Sequence, residues 1–411
     1  MNILRSTILS IAFLLIALTT MNAQVLPGID ALIDDEFEAL EGKRVGLVIN
    51  QTAVRRDVRN MTLDAFLETD ECTLTAVFAP EHGIDGGVLA GETVSQETRN
   101  GLPIYSLYGA TKKPTKAMMK DVDVMVYDIQ DVGVRSYTYI STMLNVMKGC
   151  AESGVKLVIL DRPNPIGGDV VDGNVLDMDF TSFVGPAPIP YVHGLTVGEL
   201  AMMANGEGWL GAGLKCDLEV VRMKGWKRDM TWTETGLTWI PTSPHVPKDE
   251  SAFAIAATGA IGELGVINIG VGYTTPFELI GAPWIDERAF ASTLNALEVP
   301  GIYFRPTRYK PFYAMSSGEM CAGVQLMRLG EGCAPFTATI ALMTTLRDMY
   351  PEKKLFDKVK ADRWQMFDKV CGTDQIRLKI RAGESLEEIL AWWKEDLDEY
   401  IAMREEYLLY E

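Results

Sequence analysis

Acid–base hydrolysis depends on carboxyl groups and imidazoles held close together, and this chain carries such side chains where apolar segments end. In the stretch VFAPEHGIDGG, residues 77–87, Glu81 and His82 directly follow an apolar run, and His82 is one of only three histidines. A second apolar run ends in YDIQD, which carries Asp128 and Asp131. Glycoside hydrolysis needs two carboxyl groups, one protonated and one ionised. The sequence offers Glu81 with Asp128 or Asp131 as that pair, and His82 could orient it.

The same segment ends carry other polar residues that could contact sugar hydroxyl and acetamido groups or pair with a substrate carboxylate. These candidates are Asn50, Gln130, Arg135, Tyr137, Arg162, Asn164 and His193. Each has a structural alternative, because chains surface where strands end. Asp131 could cap a helix, and His193 could make a hydrogen bond at the start of one. Their joint occurrence at several segment ends favours one shared site.

Five short apolar segments must position these residues. They span residues 44–50, 74–80, 102–108, 122–130 and 154–165. Their near-continuous hydrophobicity is typical of strands that are buried on both faces of a parallel sheet. Stretches with helical spacing lie between them, at residues 57–69 and 134–154. The alternation predicts an α/β fold with a Rossmann-like doubly wound parallel sheet, in which ligands bind beyond the carboxyl ends of the strands.

Motifs for several other chemistries are missing from the sequence. No G-x-G-x-x-G follows the first strand and no G-x-x-x-x-G-K-[ST] occurs, so we expect no nucleotide cofactor. No G-x-S-x-G elbow for a serine nucleophile is present. A metal-dependent hydrolase could use His82, His193 and Asp128, but no metal-ligand spacing supports that reading.

The amino terminus predicts export. Residues 1–23 begin with a basic stretch, continue with an apolar core too short for a comfortable membrane span, and end in small residues. We expect a signal peptide that is cleaved near Ala23, no stable membrane insertion afterwards, and a periplasmic or secreted protein; an uncleaved anchor is the alternative. Near Val246 the alternation of strand and helix patterns gives way to a loop with several prolines and then to α+β patterning. We therefore expect a catalytic domain, 24–246, and a smaller α+β domain, 247–411, that closes the cleft.

The net charge and the cysteine spacing argue against two kinds of site, a nucleic-acid surface and a zinc knuckle. The formal net charge is −18 and no Lys/Arg-rich run occurs, so a nucleic-acid partner is not expected. The six cysteines have no C-x-x-C spacing, which excludes a zinc knuckle. We expect most of them to be isolated buried thiols, and Cys321 and Cys333 are the pair to test for a disulfide.

Four segments resemble the secreted bacterial exo-β-N-acetylmuramidase family (NamZ-like): FAPEHGIDG, VYDIQDVGVRSYTYISTM, LDRPNPIGG and VHGLTVGELA. The resemblance covers nearly the whole chain after residue 23. It implies a Rossmann-like domain with a smaller C-terminal domain, no cofactor, and removal of terminal N-acetylmuramic acid from peptidoglycan fragments. It also implies that Glu81 is the favoured catalytic residue. The family's Thr-Thr-x-Pro-Phe-Glu segment adds Thr274 and Glu278 as candidate substrate contacts.

The chain departs from the family pattern at two places. Ile269 and Val271 stand where an acid and an arginine are expected, and Thr242-Ser243-Pro244-His245 stands where Pro-Ser-Pro-Asn is expected. The missing guanidinium removes a partner for the lactyl carboxylate of muramic acid. We therefore expect a glycosidase for N-acetylmuramic acid or a related amino sugar, with Glu81 as the general acid. A muropeptide- or glycan-binding protein that lacks turnover is the alternative.

Overall fold

The computed structural model of the protein describes residues 24–89, 91–92, 97–99, 101–330 and 332–411. The predicted signal peptide, residues 1–23, lies outside these ranges. Within them, no helix has both the length and the apolar character that a membrane span requires.

A seven-stranded sheet forms the centre of the N-terminal region, with the order β3-β4-β2-β1-β5-β6-β9. All neighbouring pairs are parallel except β3 with β4, which are antiparallel. The strands are β1 (Arg44–Ile49), β2 (Thr73–Ala79), β3 (Glu97–Arg99), β4 (Leu102–Ser106), β5 (Val124–Asp128), β6 (Lys156–Leu160) and β9 (Leu218–Val221). The α/β prediction and all five predicted strands are confirmed; β3 and β9 are additional, and β3 makes the sheet mixed.

Helices cover both faces of this sheet. On one face, α1 (Gly28–Asp34) and α2 (Thr62–Glu68) contribute to an apolar cluster with alternate residues of β1 and β2. On the other face, α3 (Tyr139–Ser153) and α4 (Val197–Gly206) pack against the residues in between. Burial on both faces explains why these strands are apolar without alternation.

The strand order reverses between β1 and β5. From β1 the chain builds the sheet outward through β2 and β4, and it then returns to the other side of β1 to add β5 and β6. The connections after β1 and β5 therefore leave the sheet in opposite directions and open a crevice between them. Such a switch point is where open α/β sheets bind ligands.

The C-terminal region has a three-stranded antiparallel sheet, in the order β10-β12-β11, with helices packed against it. Its strands are β10 (Leu279–Ala282), β11 (Ile302–Tyr309) and β12 (Cys321–Arg328). Its helices are α5 (Asp249–Leu264), α6 (Glu287–Asn295), α7 (Pro335–Met349), α8 (Ala361–Cys371), α9 (Gln375–Ala382) and α10 (Leu386–Arg404). All six cysteines of the chain are buried and unpaired.

The N-terminal and C-terminal regions pack against each other and are not joined by a linker alone. A small hairpin of β7 (Asp172–Val175) and β8 (Pro190–Val192) contacts α7 and α10, and Tyr191 and Val192 of β8 belong to the C-terminal apolar core. The chain end also returns to the first sheet, where the Tyr410 hydroxyl donates to Asp161 Oδ2 at 2.6 Å.

Arg135 joins these parts. Its side chain is fully buried, and its guanidinium donates to the carbonyl oxygens of Asn174, Ile189 and Cys371 at 2.9, 2.6 and 2.6 Å. Burial lowers the pKa of Arg135 to about 10. The guanidinium therefore connects the β7–β8 hairpin with the end of α8.

We predict that Arg135→Met lowers the free energy of unfolding by about 3 kcal/mol, because it leaves several buried carbonyl groups without a donor. Urea denaturation measures this change. The matched control is Arg305→Met, an exposed arginine on β11, for which we expect a change within about 0.5 kcal/mol. Equal effects of the two substitutions would contradict the structural role of Arg135.

Candidate active site

Glu81 lies immediately beyond the carboxyl end of β2, in a turn with an unusual backbone. His82 has a φ of 70° and Gly83 a φ of 77°, so two successive residues adopt the left-handed region that a non-glycine residue seldom occupies. The His82 ring helps to hold the turn, because Nδ1 donates to the Val88 carbonyl oxygen at 2.6 Å. Both Glu81 and His82 are buried.

Hydrogen-bond donors surround the Glu81 carboxylate. The Gly91 amide donates to Oε1 at 3.1 Å, and the Thr138 hydroxyl donates to Oε2 at 2.5 Å. The Tyr108 hydroxyl also lies within hydrogen-bonding reach. Burial, the charge of Glu81 and that hydrogen bond together raise the pKa of Tyr108 to about 12. An ionised carboxylate only accepts hydrogen bonds, so these donors suit a charged Glu81.

Asp131 has a contrasting environment beyond the end of β5. Its Oδ2 accepts from the Gly133 amide at 2.7 Å, while Oδ1 is buried without a partner. Burial raises the pKa of Asp131 to about 7. His193 Nε2 lies 3.9 Å from Oδ2 and also lacks a hydrogen bond, and burial lowers the pKa of His193 to about 3. A neutral imidazole therefore faces a carboxyl group that is partly protonated near neutral pH.

Glu81 and Asp131 lie close to the same aromatic ring. Burial is the main reason that the pKa of Tyr137 is raised, and the charges of Asp131 and Glu81 both add to the rise. The structure thus brings together the ends of β2 and β5, as the sequence predicted.

Unpaired polar atoms extend the site along the crevice between β1 and β5. Asn50 Oδ1 accepts from the Thr52 hydroxyl at 2.6 Å, and that hydroxyl accepts from the Gln130 amide N–H at 2.9 Å. Asn50 Nδ2 and Gln130 Oε1 remain buried without partners. Buried polar groups nearly always have partners, so the unpaired atoms of Gln130, Asp131 and His193 distinguish this edge from the rest of the sheet.

Residues 241–245, which come just before the C-terminal region, cover one side of the site. The Tyr139 hydroxyl donates to the Thr242 carbonyl at 2.5 Å, and the Tyr137 hydroxyl donates to Thr242 Oγ1 at 2.9 Å. The Gln51 amide adds bonds to the carbonyl oxygens of Pro241 and Thr242, at 2.8 and 3.0 Å. The segment where the chain departs from the family pattern is therefore held beside Glu81.

The geometry does not support the expected catalytic role of Asp128. Its side chain is 0% exposed, and both oxygens face Arg162, with Nε to Oδ1 at 2.5 Å and Nη2 to Oδ2 at 2.9 Å. The Thr62 hydroxyl donates to Oδ2 as well, at 2.5 Å. Asp128 and Arg162 form a buried ion pair, so each charge already has its partner within the protein.

Two other candidates have structural partners. Arg135 is buried among backbone carbonyls, as described above, and cannot pair with a substrate carboxylate. Asn164 Nδ2 donates to the Leu195 carbonyl at 3.0 Å, and its Oδ1 accepts from the Ile166 amide at 3.0 Å. The expected substrate-binding roles of Arg135, Arg162 and Asn164 are therefore not supported.

Glu278 and Thr274 lie on the C-terminal region. Glu278 is buried and contacts Lys248 at 3.1 Å, Gln325 at 3.2 Å and Ser251 at 3.3 Å, in a polar pocket that also includes Arg328. Thr274 is exposed. Of the two residues that replace the expected acid and arginine, Ile269 is buried in the C-terminal core and Val271 is half-buried.

In the part of the chain that the structure describes, no group of three or more His, Cys, Asp or Glu side chains could hold a metal ion. The metal-dependent reading from His82, His193 and Asp128 thus has no ligand set in these residues.

Sequence reasoning missed Thr138, Tyr108 and Thr242. Thr138 and Tyr108 reach Glu81 from separate segments, and Thr242 anchors the covering segment. Hydroxyl residues are too common for any of these to stand out without the tertiary contacts.

Two buried carboxyl groups with different environments lie beyond the ends of β2 and β5 of an α/β sheet, an arrangement that suits a carboxyl-dependent hydrolase. The comparisons agree with it. The family models described as exo-beta-N-acetylmuramidase NamZ, N-terminal and C-terminal, match residues 45–250 and 256–410. The chain belongs to the NamZ family.

Known relatives cover nearly the whole chain. It is 41% identical over 395 residues to the peptidoglycan beta-N-acetylmuramidase NamZ of Bacillus subtilis (strain 168), over 95% of this chain and 93% of the relative. A crystal structure of a DUF1343 family protein from Bacteroides fragilis NCTC 9343 has a TM-score of 0.89 and 43% identity, over 94% of this chain and 99% of the other. A second DUF1343 protein from that organism has a TM-score of 0.74 and 31% identity, over 95% and 99%.

The environment of Asp131 predicts a pH-dependent effect on stability. Because its pKa is about 7 in the folded protein and 3.8 ordinarily, the stability that the bound proton contributes is present below about pH 4 and is lost as the pH rises through about 7. Asparagine does not titrate. We predict that the unfolding free energy of Asp131→Asn increases relative to the unsubstituted protein between about pH 4 and about pH 8, as measured by urea denaturation. A difference that stays constant with pH would contradict this assignment.

Proposed function

We propose that this protein is a glycoside hydrolase that removes terminal N-acetylmuramic acid from peptidoglycan fragments. The observation that carries the proposal is the pair Glu81 and Asp131, two buried carboxyl groups with contrasting surroundings at one edge of the sheet. The 41% identity to a peptidoglycan beta-N-acetylmuramidase supports the substrate class.

The surroundings suggest how the two carboxyl groups divide the work. Asp131, whose pKa is raised to about 7 by burial, suits the protonated role of giving a proton to the departing sugar oxygen. Glu81, with three donors around it, suits the ionised role of stabilising the positive charge that develops on the sugar ring or attacking it directly. This division reverses the expectation that Glu81 is the acid.

Neutral side chains would place the sugar. Asn50 Nδ2, Gln130 Oε1 and His193 Nε2 supply donors and acceptors without partners along the crevice. Arg135 and Arg162 are both engaged elsewhere, and Val271 replaces the expected arginine. None of these three positions would therefore pair with the lactyl carboxylate of muramic acid, which makes discrimination against the same sugar without lactate weaker than charge pairing there would give.

We predict that Glu81→Gln lowers kcat by about 10²–10⁴-fold, because the amide cannot supply the carboxylate charge in the transition state. The assay measures N-acetylmuramic acid released from a peptide-free fragment with that sugar at its non-reducing end. Glu41→Gln is the control, since Glu41 is exposed at the opposite edge of the sheet, just before β1, and we expect full activity.

The same assay tests the division of roles. If the activity needs protonated Asp131, it falls as the pH rises through about 7. We expect Asp131→Asn to lose most of the turnover and to show no such fall in its pH–activity profile. Full activity of Glu81→Gln would disprove the assignment. Thermal stabilisation by the fragment without any release would instead favour the glycan-binding alternative.

Export to the periplasm or the medium is part of the proposal. It depends on residues 1–23, with their basic start and short apolar core. N-terminal sequencing of the protein recovered from the native host is expected to begin near Gln24. A protein that retains its first residues in the cytoplasmic fraction would contradict it.

A further inference from the structure

A group of exposed aromatic side chains lies on the C-terminal region next to the covering segment. Phe312 is 70% exposed and Tyr313 is 52% exposed. The Tyr273 ring lies 5.6 Å from that of Phe312, and the His245 ring lies 6.3 Å from that of Tyr313, both centroid to centroid with interplanar angles near 30°. We call these four residues the aromatic platform.

The aromatic platform is continuous with the Glu81 site. His245 Nε2 lies 3.2 Å from the Tyr313 hydroxyl oxygen, and His245 ends the segment that Tyr137 and Tyr139 anchor. The segment 241–245 in turn reaches Glu81 through Thr138, which lies between Tyr137 and Tyr139 in the chain and donates to Glu81 Oε2 at 2.5 Å. A chain of contacts thus leads from Glu81 outward to the exposed rings.

The backbone holds the platform in place. The Phe312 amide donates to the Gly272 carbonyl at 2.7 Å, and Asn268 Nδ2 donates to the Met315 carbonyl at 2.9 Å. Gly272 has a φ of 94°, and a Cβ there would lie 2.0 Å from the Tyr313 carbonyl oxygen. Only glycine allows this approach of the two loops, so the exposed rings are pre-positioned.

We infer that the aromatic platform binds the first sugar on the leaving-group side of the scissile bond, the neutral N-acetylglucosamine residue that becomes the new chain end after the terminal residue is removed. Pyranose rings present C–H groups that pack on aromatic faces, and large exposed rings beside a site mark a binding surface. The platform carries no carboxylate or ammonium, which suits an uncharged ring next to an acidic protein. This inference deepens the proposed function and rests on it.

The test is the double substitution Phe312→Ala with Tyr313→Ala. We expect kcat/KM on a peptide-free tetrasaccharide with N-acetylmuramic acid at its non-reducing end to fall about tenfold, because one or two ring contacts are lost. Activity on N-acetylmuramyl fluoride, whose leaving group has no sugar ring, should stay within about twofold. Tyr303→Ala is the control, because Tyr303 is 42% exposed near the other end of β11.

Product binding separates this inference from the proposed function. Calorimetry with the peptide-free chain that begins with N-acetylglucosamine should show about tenfold weaker binding to the double variant than to the unsubstituted protein and to Tyr303→Ala. Equal binding and equal kcat/KM would overturn the inference. Loss of binding only for peptide-bearing chains would also overturn it, since the platform would then bind peptide. If the unsubstituted protein cleaves no muramide, the proposed function fails, while product binding still decides the platform.

Discussion

The buried ion pair of Arg162 with Asp128 is the interaction on which the arrangement of the site depends. Parallel strands that are buried on both faces end at one edge, and the polar residues that follow them must find partners there. Arg162 comes from the end of β6 and Asp128 from the end of β5, and their two-bond contact neutralises both charges inside the protein. Removing one partner of such a pair would leave an uncompensated buried charge.

This pairing decides which neighbouring groups remain available for chemistry. Asp131, only three residues after Asp128, has no cation against its carboxyl group and keeps one oxygen unpaired. The neutral His193 opposite it cannot supply a positive charge. Two aspartates of one short segment thus have different roles: one holds the sheet edge together, and the other has the raised pKa that suits proton transfer.

The segment just before the C-terminal region covers one side of the site. Residues 241–245 lie over the strand ends through Gln51, Tyr137 and Tyr139, and His245 extends this cover to the loop of Phe312 and Tyr313. The chain end returns to the first sheet through Tyr410 and Arg404.

The sequence by itself determined the strands, the edge at which they end and the family. Short continuous apolar runs that alternate with helical stretches favour strands buried on both faces, and Glu81, His82 and Asp131 follow such runs. Only the tertiary structure decided which polar residues are free. Arg135, Arg162, Asn164 and Asp128 look like ligand contacts in the sequence, yet they are satisfied by carbonyls or by each other, because hydrogen-bond partners come from segments distant along the chain. The same reason hid Thr138 and Tyr108, which reach Glu81 across the fold, and the contact of Tyr313 with His245.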